Sequence, residues 1–448
     1  MLNLYPHFKK MNKSVSLHTL GCKLNYSETS TLASNFHQRG FNIKTYGESS
    51  DIFVLNTCSV TDNADKECRQ IIRSVLNNNP DTYVIITGCY AQLQPNEIAE
   101  INGVDLVLGA NEKFKLFDYS DNFEKKSISC VFTSPISEVT DFEYAYSSDI
   151  DSRTRAFLKI QDGCNYNCSF CTIPLARGKS RSESIYNVTE NARKLLDSGY
   201  KEIVLTGVNT GDYNYQPNFN SRHYKLIDVL YELEKLHIPR IRISSIEPNL
   251  LSDETIQLVK SSEKFCKHFH IPLQSGDADT LKLMRRRYNI DYYENLIYKL
   301  NEEIPNIGIG VDVIVGFPQE SDERFSNTFS FLEVLPISYL HVFTYSERRN
   351  THASALPGSV EILERKERSR ILRELSNRKR YNFNRSSVNK IHNVLFETVK
   401  DDSFIYGFTE NYIKVRVNSP TKIQNVNKFS SKSLLYHLLI SLITLLQY

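Results

Sequence analysis

Apolar and polar residues alternate in blocks along the first part of the chain. Four short apolar runs predict β-strands, at residues 15–20, 52–57, 83–88 and 106–109. The segments between them read as helices, for example residues 28–39 and 64–77. Apolar strands that alternate with helices are typical of a parallel sheet with helices on both faces. We therefore predict an N-terminal α/β domain over residues 13–118.

A second βα repeat begins at residue 156. It contains six predicted strands, at residues 156–161, 202–206, 240–244, 268–273, 308–315 and 339–345. Helical segments separate these strands, which predicts an open, partial (β/α)6 barrel over residues 150–382 with its active site at the carboxyl ends of the strands. The polar, Ser-rich stretch at 119–149 is predicted to be a linker.

The last part of the chain changes character twice. Residues 361–390 are predicted to form a basic helix, and residues 393–416 to form strands. We assign residues 383–448 to a third domain. Residues 431–448 are apolar but too short to predict a membrane span, so no membrane partner is expected.

Composition places the chain among soluble proteins. It has 448 residues, of which 40% are hydrophobic and 24% charged. A net charge of +2 means that any nucleic-acid site has to be a local basic patch. The N-terminal segment lacks the apolar core of a signal peptide, so a cytoplasmic location with reduced thiols is expected. Nine cysteines in such a compartment indicate metal binding or catalysis rather than disulfides.

Three cysteines form a compact triplet, Cys164, Cys168 and Cys171, directly after the first predicted barrel strand. Three thiolates on one loop can hold three irons of a [4Fe–4S] cluster and leave the fourth iron open. The alternative is a zinc site, which would need a fourth ligand. No nearby cysteine or histidine supplies one, so the spacing favours an iron–sulfur cluster.

Three further cysteines form an upstream triplet, Cys22, Cys58 and Cys89, and each follows a predicted strand. Because the carboxyl ends of parallel strands share one edge of a sheet, the fold could bring the three together as the ligands of a second cluster. For one lone strand-end cysteine, a buried small hydrophobe would be the better interpretation. The remaining cysteines lack this placement and are expected to be structural: Cys68, Cys130 and Cys266.

Several motifs resemble those of a known family. They are TLGCKLN (19–25), NTCSV (56–60), TGCYAQ (87–92), KIQDGC (159–164), CTIPLARG (171–178), HIPLQSG (270–276) and DVIVGFP (312–318). Over roughly residues 14–416 the chain is similar to the radical-SAM methylthiotransferases. The QDGC and IPLARG motifs are most similar to the MtaB type, which modifies N6-threonylcarbamoyladenosine in tRNA beside the anticodon.

The resemblance implies an enzyme with two [4Fe–4S] clusters that uses S-adenosylmethionine. The compact triplet would be catalytic, because its cluster would bind the cofactor and generate a 5′-deoxyadenosyl radical. The cluster of the upstream triplet would carry the sulfur that is methylated and delivered to C2 of the adenine. The expected partners are tRNA, an electron donor such as flavodoxin or ferredoxin, and a sulfur donor, and the chain is expected to be a monomer.

Further cofactor-binding residues are predicted at the ends of the later barrel strands. They are Thr206, Gly207, Ser244, Glu247, Gln274, Asp312 and Gly316. Gly316 would allow an adenine to approach closely. For each of these residues, ordinary barrel packing or turn geometry is the competing interpretation.

Two features fit an RNA partner. Arginines at 285–287 and within 365–385 could contact phosphates, although a solvated helix face explains most single arginines equally well. Residues 394–397 and 407–415 resemble the start of a TRAM domain, a small RNA-binding β-barrel. After about residue 416 the expected glycine-containing strands are missing, so this TRAM-like barrel is predicted to be incomplete, with open edges.

Three other functions compete with this interpretation. The chain could methylthiolate isopentenyladenosine in tRNA, or an aspartate of a ribosomal protein, or it could bind RNA with impaired catalysis. The basic helices disfavour a protein substrate. The presence of all six candidate cysteines argues against lost chemistry.

Overall fold

A computed structural model describes residues 13–59, 61–120, 122–147, 154–218, 220–397, 404–418 and 435–439. The chain divides into two compact units. Unit one comprises residues up to 148 together with 162–166 and 171–181. Unit two comprises residues 149–161, 167–170 and the chain from 182 onward. The boundaries of the three domains proposed from the sequence stay predictions.

Unit one contains a six-stranded parallel sheet. Its strands are β1 (Ser14–Thr19), β2 (Asn42–Lys44), β3 (Ile52–Thr57), β4 (Tyr83–Gly88), β5 (Leu106–Leu108) and β6 (Cys130–Phe132). The strand order is β2-β1-β3-β4-β5-β6, and every neighbouring pair is parallel. The helices are α1 (Lys23–Gln38), α2 (Asp62–Asn78), α3 (Cys89–Leu93), α4 (Pro95–Ala99) and α5 (Leu116–Tyr119). Strand β6 lies inside the segment predicted to be a linker.

Helices cover both faces of this sheet, as predicted. Phe53 and Leu55 of β3 pack in one core cluster with Ile72 of α2. The intervening residue Val54 packs in a second cluster with Phe36 of α1. Successive side chains of a strand point to opposite faces, so one fully apolar strand contributes to two cores.

The remaining strands and helices belong mainly to unit two, which starts with the strands and helices of the barrel. The strands from here on are β7 (Arg155–Lys159), β8 (Gln161–Asp162), β9 (Arg181–Ser182), β10 (Glu202–Thr206), β11 (Asn214–Tyr215), β12 (Tyr224–Lys225), β13 (Arg240–Ile243), β14 (His268–His270), β15 (Gly308–Val315), β16 (Tyr339–Thr344), β17 (Ile391–Phe396), β18 (Phe404–Thr409), β19 (Lys414–Asn418) and β20 (Leu435–Leu439). The helices are α6 (Ile173–Arg177, in unit one), α7 (Ile185–Asp197), α8 (Leu226–Glu234), α9 (Asp253–Ser261), α10 (Ala278–Leu283), α11 (Ile290–Glu303), α12 (Asp322–Val334) and α13 (Ile362–Ser386).

Six parallel strands form the partial barrel. They lie in two sheets, β13-β10-β7 and β14-β15-β16, and an isolated parallel bridge from Ser245 to His270 continues one sheet into the other. All six predicted strands are therefore present, and among the described strands β7 and β16 lie at the two open ends. On β15, Val311, Val313 and Val315 are buried, whereas Asp312 between them is half-buried. We infer that the valines pack outward against helices and that Asp312 faces the lumen.

The C-terminal part of unit two is an open antiparallel sheet with the order β19-β18-β17-β20. The prediction of an incomplete barrel is confirmed, because the described strands do not close into a barrel. Residues 435–439 add a fourth strand, β20, which contains no glycine. Residues 419–434 and 440–448, where the altered tail was predicted, lie outside the described residues. Arg240 of the barrel donates hydrogen bonds to the carbonyls of Phe408 (2.9 Å) and Asn393 (2.7 Å), which ties this sheet to the barrel.

No helix in the described ranges is both long enough and apolar enough to cross a membrane.

We expect that Glu202→Gln destabilises the barrel at neutral pH. Glu202 is fully buried on β10, with Arg242 Nε at 3.0 Å and Arg240 at 3.5 Å. Burial raises the pKa of Glu202, but the two arginines outweigh it and hold the pKa below its usual range. A depressed carboxyl pKa stabilises the fold above the unfolded pKa, and this stabilisation is lost as pH falls through the folded pKa.

Removing one partner of a buried ion pair costs about 3–5 kcal/mol, so urea unfolding at pH 7 should show a loss of this size. The variant should also lose stability less steeply than the parent on acidification. Glu303→Gln is the control, because Glu303 forms an exposed pair with Lys260. Equal effects of the two substitutions would contradict the prediction.

Candidate functional site

The upstream triplet lies at one edge of the unit-one sheet. Strands β1, β3 and β4 are neighbours, and each leads directly into one of these cysteines. Cys22 precedes α1, Cys58 follows β3, and Cys89 is the first residue of α3. The fold therefore brings the three strand ends together, as the sequence pattern predicted.

A glycine makes room for this approach. Gly21 has φ +104°, and a Cβ atom at that position would lie 2.6 Å from Cys58 Cβ and 2.9 Å from Cys58 Sγ. Any other residue would displace the Cys58 side chain. Burial raises the pKa of the Cys89 thiol, while the Arg177 guanidinium opposes this and the nearby Cys22 adds to it. The possible donors at this edge are three cysteine sulfurs, and iron–sulfur clusters are held by cysteine thiolates.

A buried ionic network supports the upstream triplet. Arg177 of α6 donates to both Glu28 oxygens (2.9 and 3.2 Å), to Asp162 (2.9 Å) and to Asn25 (2.6 Å). Lys113 forms a second buried ion pair with Glu28 at 2.6 Å. All these groups belong to unit one, and their charges are paired where water is excluded.

Asn25 connects this network to the strand ends. Its side-chain amide donates to the carbonyls of Leu20 (2.8 Å) and Thr57 (2.9 Å), which immediately precede the Gly21–Cys22 turn and Cys58. Its carbonyl oxygen accepts from Arg177. The Arg177 guanidinium thus fixes the backbone that presents two of the three cysteines.

The compact triplet lies on the loop between β8 and α6. Gly163 has φ +72°, and a Cβ atom there would lie 2.1 Å from the carbonyl oxygen of Lys179. The amide of Cys164 donates to the Gly178 carbonyl at 3.0 Å. All three cysteines of the triplet are half-buried. The loop is therefore pinned at its start and leaves its thiols partly accessible.

Arg286 contacts the middle cysteine of this loop. Its Nη1 lies 3.0 Å from Cys168 Sγ, and the same guanidinium is ion-paired with Glu247 and lies over the Tyr288 ring. Burial raises the pKa of Cys168, and Arg286 opposes that rise. The side chain of Arg286 is only 3% exposed, so the prediction that it contacts RNA phosphates was wrong.

Two predicted cofactor residues have buried hydroxyls for which the described part of the chain offers no partner. Thr206 ends β10, and Ser244 follows β13, the adjacent strand. Within the described residues, neither Thr206 Oγ1 nor Ser244 Oγ has a hydrogen-bond partner. A buried polar atom without a partner is costly, so this edge of the barrel fits a ligand with polar groups such as S-adenosylmethionine. Gly207 packs tightly, since a Cβ atom there would lie 2.8 Å from Gln161 Oε1.

The other predicted residues have local partners. Gln274 has φ +76°, and its backbone carbonyl oxygen accepts a hydrogen bond from the Ile314 amide (2.9 Å). Asp312 is hydrogen-bonded to His270 Nε2 at 2.8 Å. The space beside Gly316 is filled by Arg365, whose Cγ would lie 2.2 Å from an added Cβ. In this structure Gly316 thus accommodates an arginine, and Glu247 is paired as described above.

Some residues of the site were missed by the sequence analysis. Arg177 and Asp162 were quoted only as letters of motifs, and Glu28 only as the start of a predicted helix. His270, Asp312 and His341 bring one ligand atom each within 4.8 Å of one another on β14, β15 and β16, yet the sequence analysis singled out only Asp312. These polar residues interrupt apolar runs on three neighbouring predicted strands, and this pattern could have indicated that they share the lumen face.

Cys68 and Cys266 are structural, as expected. Both thiols are buried in the core of their unit. Burial raises the pKa of Cys68 to about 12 and that of Cys266 to about 11. They are neutral packing groups at physiological pH.

Family models match both units. Residues 158–332 match the radical SAM superfamily, and residues 14–109 match a family described as uncharacterized protein family UPF0004. The solved structure of the radical S-adenosylmethionine methyltransferase TsrM from Kitasatospora setae has a similar fold, with 14% identity, a TM-score of 0.56 and 77% of each chain covered. Residues 158–332 therefore have the fold of the radical-SAM enzymes.

Relatives of known function identify the family within the radical-SAM class. The chain is 38% identical to the threonylcarbamoyladenosine tRNA methylthiotransferase MtaB of Bacillus subtilis over 408 residues, which is 90% of each chain. It is also 38% identical to the MtaB protein of Aquifex aeolicus, with 90% of this chain and 96% of that one covered. A tRNA-2-methylthio-N(6)-dimethylallyladenosine synthase of Bacillus mycoides is 31% identical, with coverages of 94% and 81%. The chain belongs to the radical-SAM methylthiotransferase family, on its MtaB branch.

It is therefore an enzyme that transfers a methylthio group and uses S-adenosylmethionine and two [4Fe–4S] clusters.

Proposed function

We propose that this enzyme transfers a methylthio group to C2 of N6-threonylcarbamoyladenosine in tRNA, beside the anticodon. The observation that carries the proposal is 38% identity to two MtaB proteins over 90% of this chain, against 31% to a synthase of the other tRNA branch. The two cysteine triplets and their supporting residues fit the same chemistry.

We propose the upstream triplet as ligands of one cluster and the compact triplet as ligands of the other. Thr206 and Ser244 would donate to or accept from polar groups of S-adenosylmethionine. When bound, these cofactors supply a radical, which can activate an aromatic C–H bond that offers no acid–base route. Arg286 would place a positive charge beside the Cys168 thiolate and so favour its deprotonated form.

The remaining contribution of the chain is positioning. Arg177 and Asn25 would hold the backbone of Cys22 and Cys58 in place. The outward-facing core residues of the barrel strands would pack against the helices and hold the strand ends rigid. Holding several reacting groups in a fixed geometry is the main way a protein assists such chemistry.

The partners follow from this proposal. We propose tRNA as substrate, a flavodoxin or ferredoxin as electron donor, and a separate sulfur donor, with the enzyme acting as a monomer in the cytoplasm. The C-terminal antiparallel sheet would contribute a surface that contacts the RNA.

Nucleoside mass spectrometry tests the proposal. The chain should be expressed in cells that lack their own methylthiotransferase, and their tRNA digested and analysed. We expect 2-methylthio-N6-threonylcarbamoyladenosine, and none from a Cys89→Ala variant. The unmethylthiolated nucleoside alone, from cells in which the protein carries both clusters, would overturn the proposal.

The same measurement distinguishes the second tRNA candidate. Relatives at 31–32% identity are named tRNA-2-methylthio-N(6)-dimethylallyladenosine synthases. If the chain shared that activity, the 2-methylthio derivative of the dimethylallyl nucleoside would accumulate instead.

A further inference from the structure

An open cleft runs along the last strand of the barrel. Strand β16 is at the end of its sheet in the described part of the chain, and α13 packs beside it. Buried Ser376 of α13 bridges the outer edge, because its Oγ accepts from the Leu340 amide (2.8 Å) and donates to the Leu340 carbonyl (2.9 Å). The cleft has a volume of about 370 Å³. Its lining combines β16 with one face of α13: Leu340, His341, Val342, Phe343, Arg373, Ser376, Asn377 and Arg380.

The arginines of α13 fall into two sets. Arg365 and Arg368 are buried and paired with Glu347 and Glu320, so they are not available to a partner. Arg370 is exposed and paired with both Glu367 and Glu374.

Arg378 is exposed and paired with Glu333. In contrast, within the described ranges neither Arg373 nor Arg380 has a carboxylate partner, and both are exposed and line the cleft. They are seven positions apart and therefore lie on the same face of the helix.

The cleft also presents aromatic surface. Phe343 is 45% exposed on β16 and lines the cleft beside the basic face of α13. Arg380 lies over the Tyr339 ring at 5.5 Å. An exposed aromatic ring flanked by unpaired arginines is the combination that stacks a base and binds the adjoining phosphates of single-stranded RNA.

The cleft reaches the barrel lumen through His341. One ring nitrogen of His341 lies within 4.8 Å of ligand atoms of His270 and Asp312, which line the lumen on β14 and β15. A strand bound in the cleft would therefore have a neighbouring nucleotide at the entrance to the lumen. The carboxylate on this side, Asp312, is hydrogen-bonded to His270.

We propose that this cleft binds the single-stranded RNA segment next to the base that is modified. Arg373 and Arg380 each contact a phosphate, and Phe343 stacks on a flanking base. The proposal rests on an RNA substrate, as the proposed function requires, and places its contact on named residues. An acidic electron-donor protein is the competing occupant, but it would not need an exposed aromatic side chain that opens toward the lumen.

The test measures binding of the full-length holoenzyme to tRNA carrying N6-threonylcarbamoyladenosine, purified from cells that lack a methylthiotransferase. Fluorescence anisotropy is recorded over a series of KCl concentrations for the parent, for R373A/R380A and for R370A/R378A. The control pair removes the same number of charges from the same helix, but from arginines that are paired with glutamates. Iron content and the circular dichroism spectrum verify that each variant is folded and loaded.

We expect R373A/R380A to weaken binding at least about tenfold, while R370A/R378A stays within about threefold of the parent. The slope of log K against log [KCl] should decrease in magnitude by about 1.4 for R373A/R380A, because two single-strand phosphate contacts are lost. Unchanged affinity and slope in R373A/R380A would overturn the proposal. So would equal losses in the two double variants.

Phe343 provides an independent readout. Phe343→Leu should weaken binding about tenfold with an unchanged salt slope, whereas Phe343→Tyr should keep near-parental affinity, because only the ring can stack. Equal behaviour of the two variants would contradict the stacking role.

The outcomes separate this proposal from the proposed function. If the parent makes no methylthiolated nucleoside but R373A/R380A still loses tRNA affinity, the proposed function is wrong and the cleft is confirmed as an RNA-binding site. If R373A/R380A binds and modifies tRNA like the parent, the cleft is not an RNA-binding site and the proposed function is unaffected. If R373A/R380A binds tRNA normally but is reduced more slowly by flavodoxin, the cleft belongs to the electron donor and the RNA assignment is wrong.

Discussion

Replacing Cys89 with alanine is expected to abolish methylthio transfer while leaving cleavage of S-adenosylmethionine intact. Cys89 is buried at the end of β4, beside the strand ends that carry Cys22 and Cys58. Its loss would leave two thiolates, too few to hold a [4Fe–4S] cluster firmly. The compact triplet lies on a different loop and should keep its own cluster. Iron and sulfide should therefore fall by about half.

The measurement combines iron and sulfide analysis with two assays on the purified, reduced protein. One assay follows 5′-deoxyadenosine, and the other follows the methylthiolated nucleoside. Cys130→Ser is the matched control, because Cys130 belongs to the same sheet but is the first residue of the edge strand β6, away from the strand ends that carry the triplet. Full iron content in Cys89→Ala, or loss of iron in Cys130→Ser, would refute the ligand assignment.

Replacing Arg177 with methionine is expected to cause the largest loss of stability in unit one. The substitution removes a buried cation that is paired with Glu28 and Asp162 and hydrogen-bonded to Asn25. Methionine fills much of the volume but leaves buried acceptors without a donor. The expected cost is about 3–5 kcal/mol.

Because Asn25 holds the strand ends near Cys22 and Cys58, the same substitution should also shift the reduction potential of the upstream cluster. Thermal unfolding of the holoenzyme gives the stability, and redox titration followed by electron paramagnetic resonance gives the potential. Arg177→Lys should recover part of both effects, since one donor and the charge remain.

Arg193→Met, which removes an exposed arginine paired with Glu190, is the control and should change neither quantity. If Arg177→Met changed the stability and the reduction potential no more than Arg193→Met does, the ionic network would not stabilise the upstream triplet.

The central strands of both units could be predicted from the sequence because they are fully buried, whereas the partly exposed edge strands β2 and β6 were missed. In β3 and β4 all six residues are buried, so an apolar run and a strand coincide. Helix α1 shows the opposite case. It begins at Lys23, five residues before the predicted start, and its first turns bury the polar residues Asn25, Ser27 and Glu28. A hydrophobic pattern cannot reveal a helix start whose buried face is ionic.

The cysteines could be predicted because their positions at strand ends are a matter of spacing. The arginines could not, because exposure is set by the tertiary structure. Arg286, Arg365 and Arg368 look like surface charges in the sequence, yet each is buried against a carboxylate. Arg373 and Arg380 differ from Arg370 only in what surrounds them. Local sequence holds no signal for that difference.

The open barrel affects how an RNA chain could reach the lumen. A closed barrel gives a ligand access to its lumen only at the two ends. Among the described strands, β7 and β16 leave one side of this barrel open. The opening between these two strands would let a flexible RNA loop approach the lumen from the side as well as from the carboxyl ends of the strands.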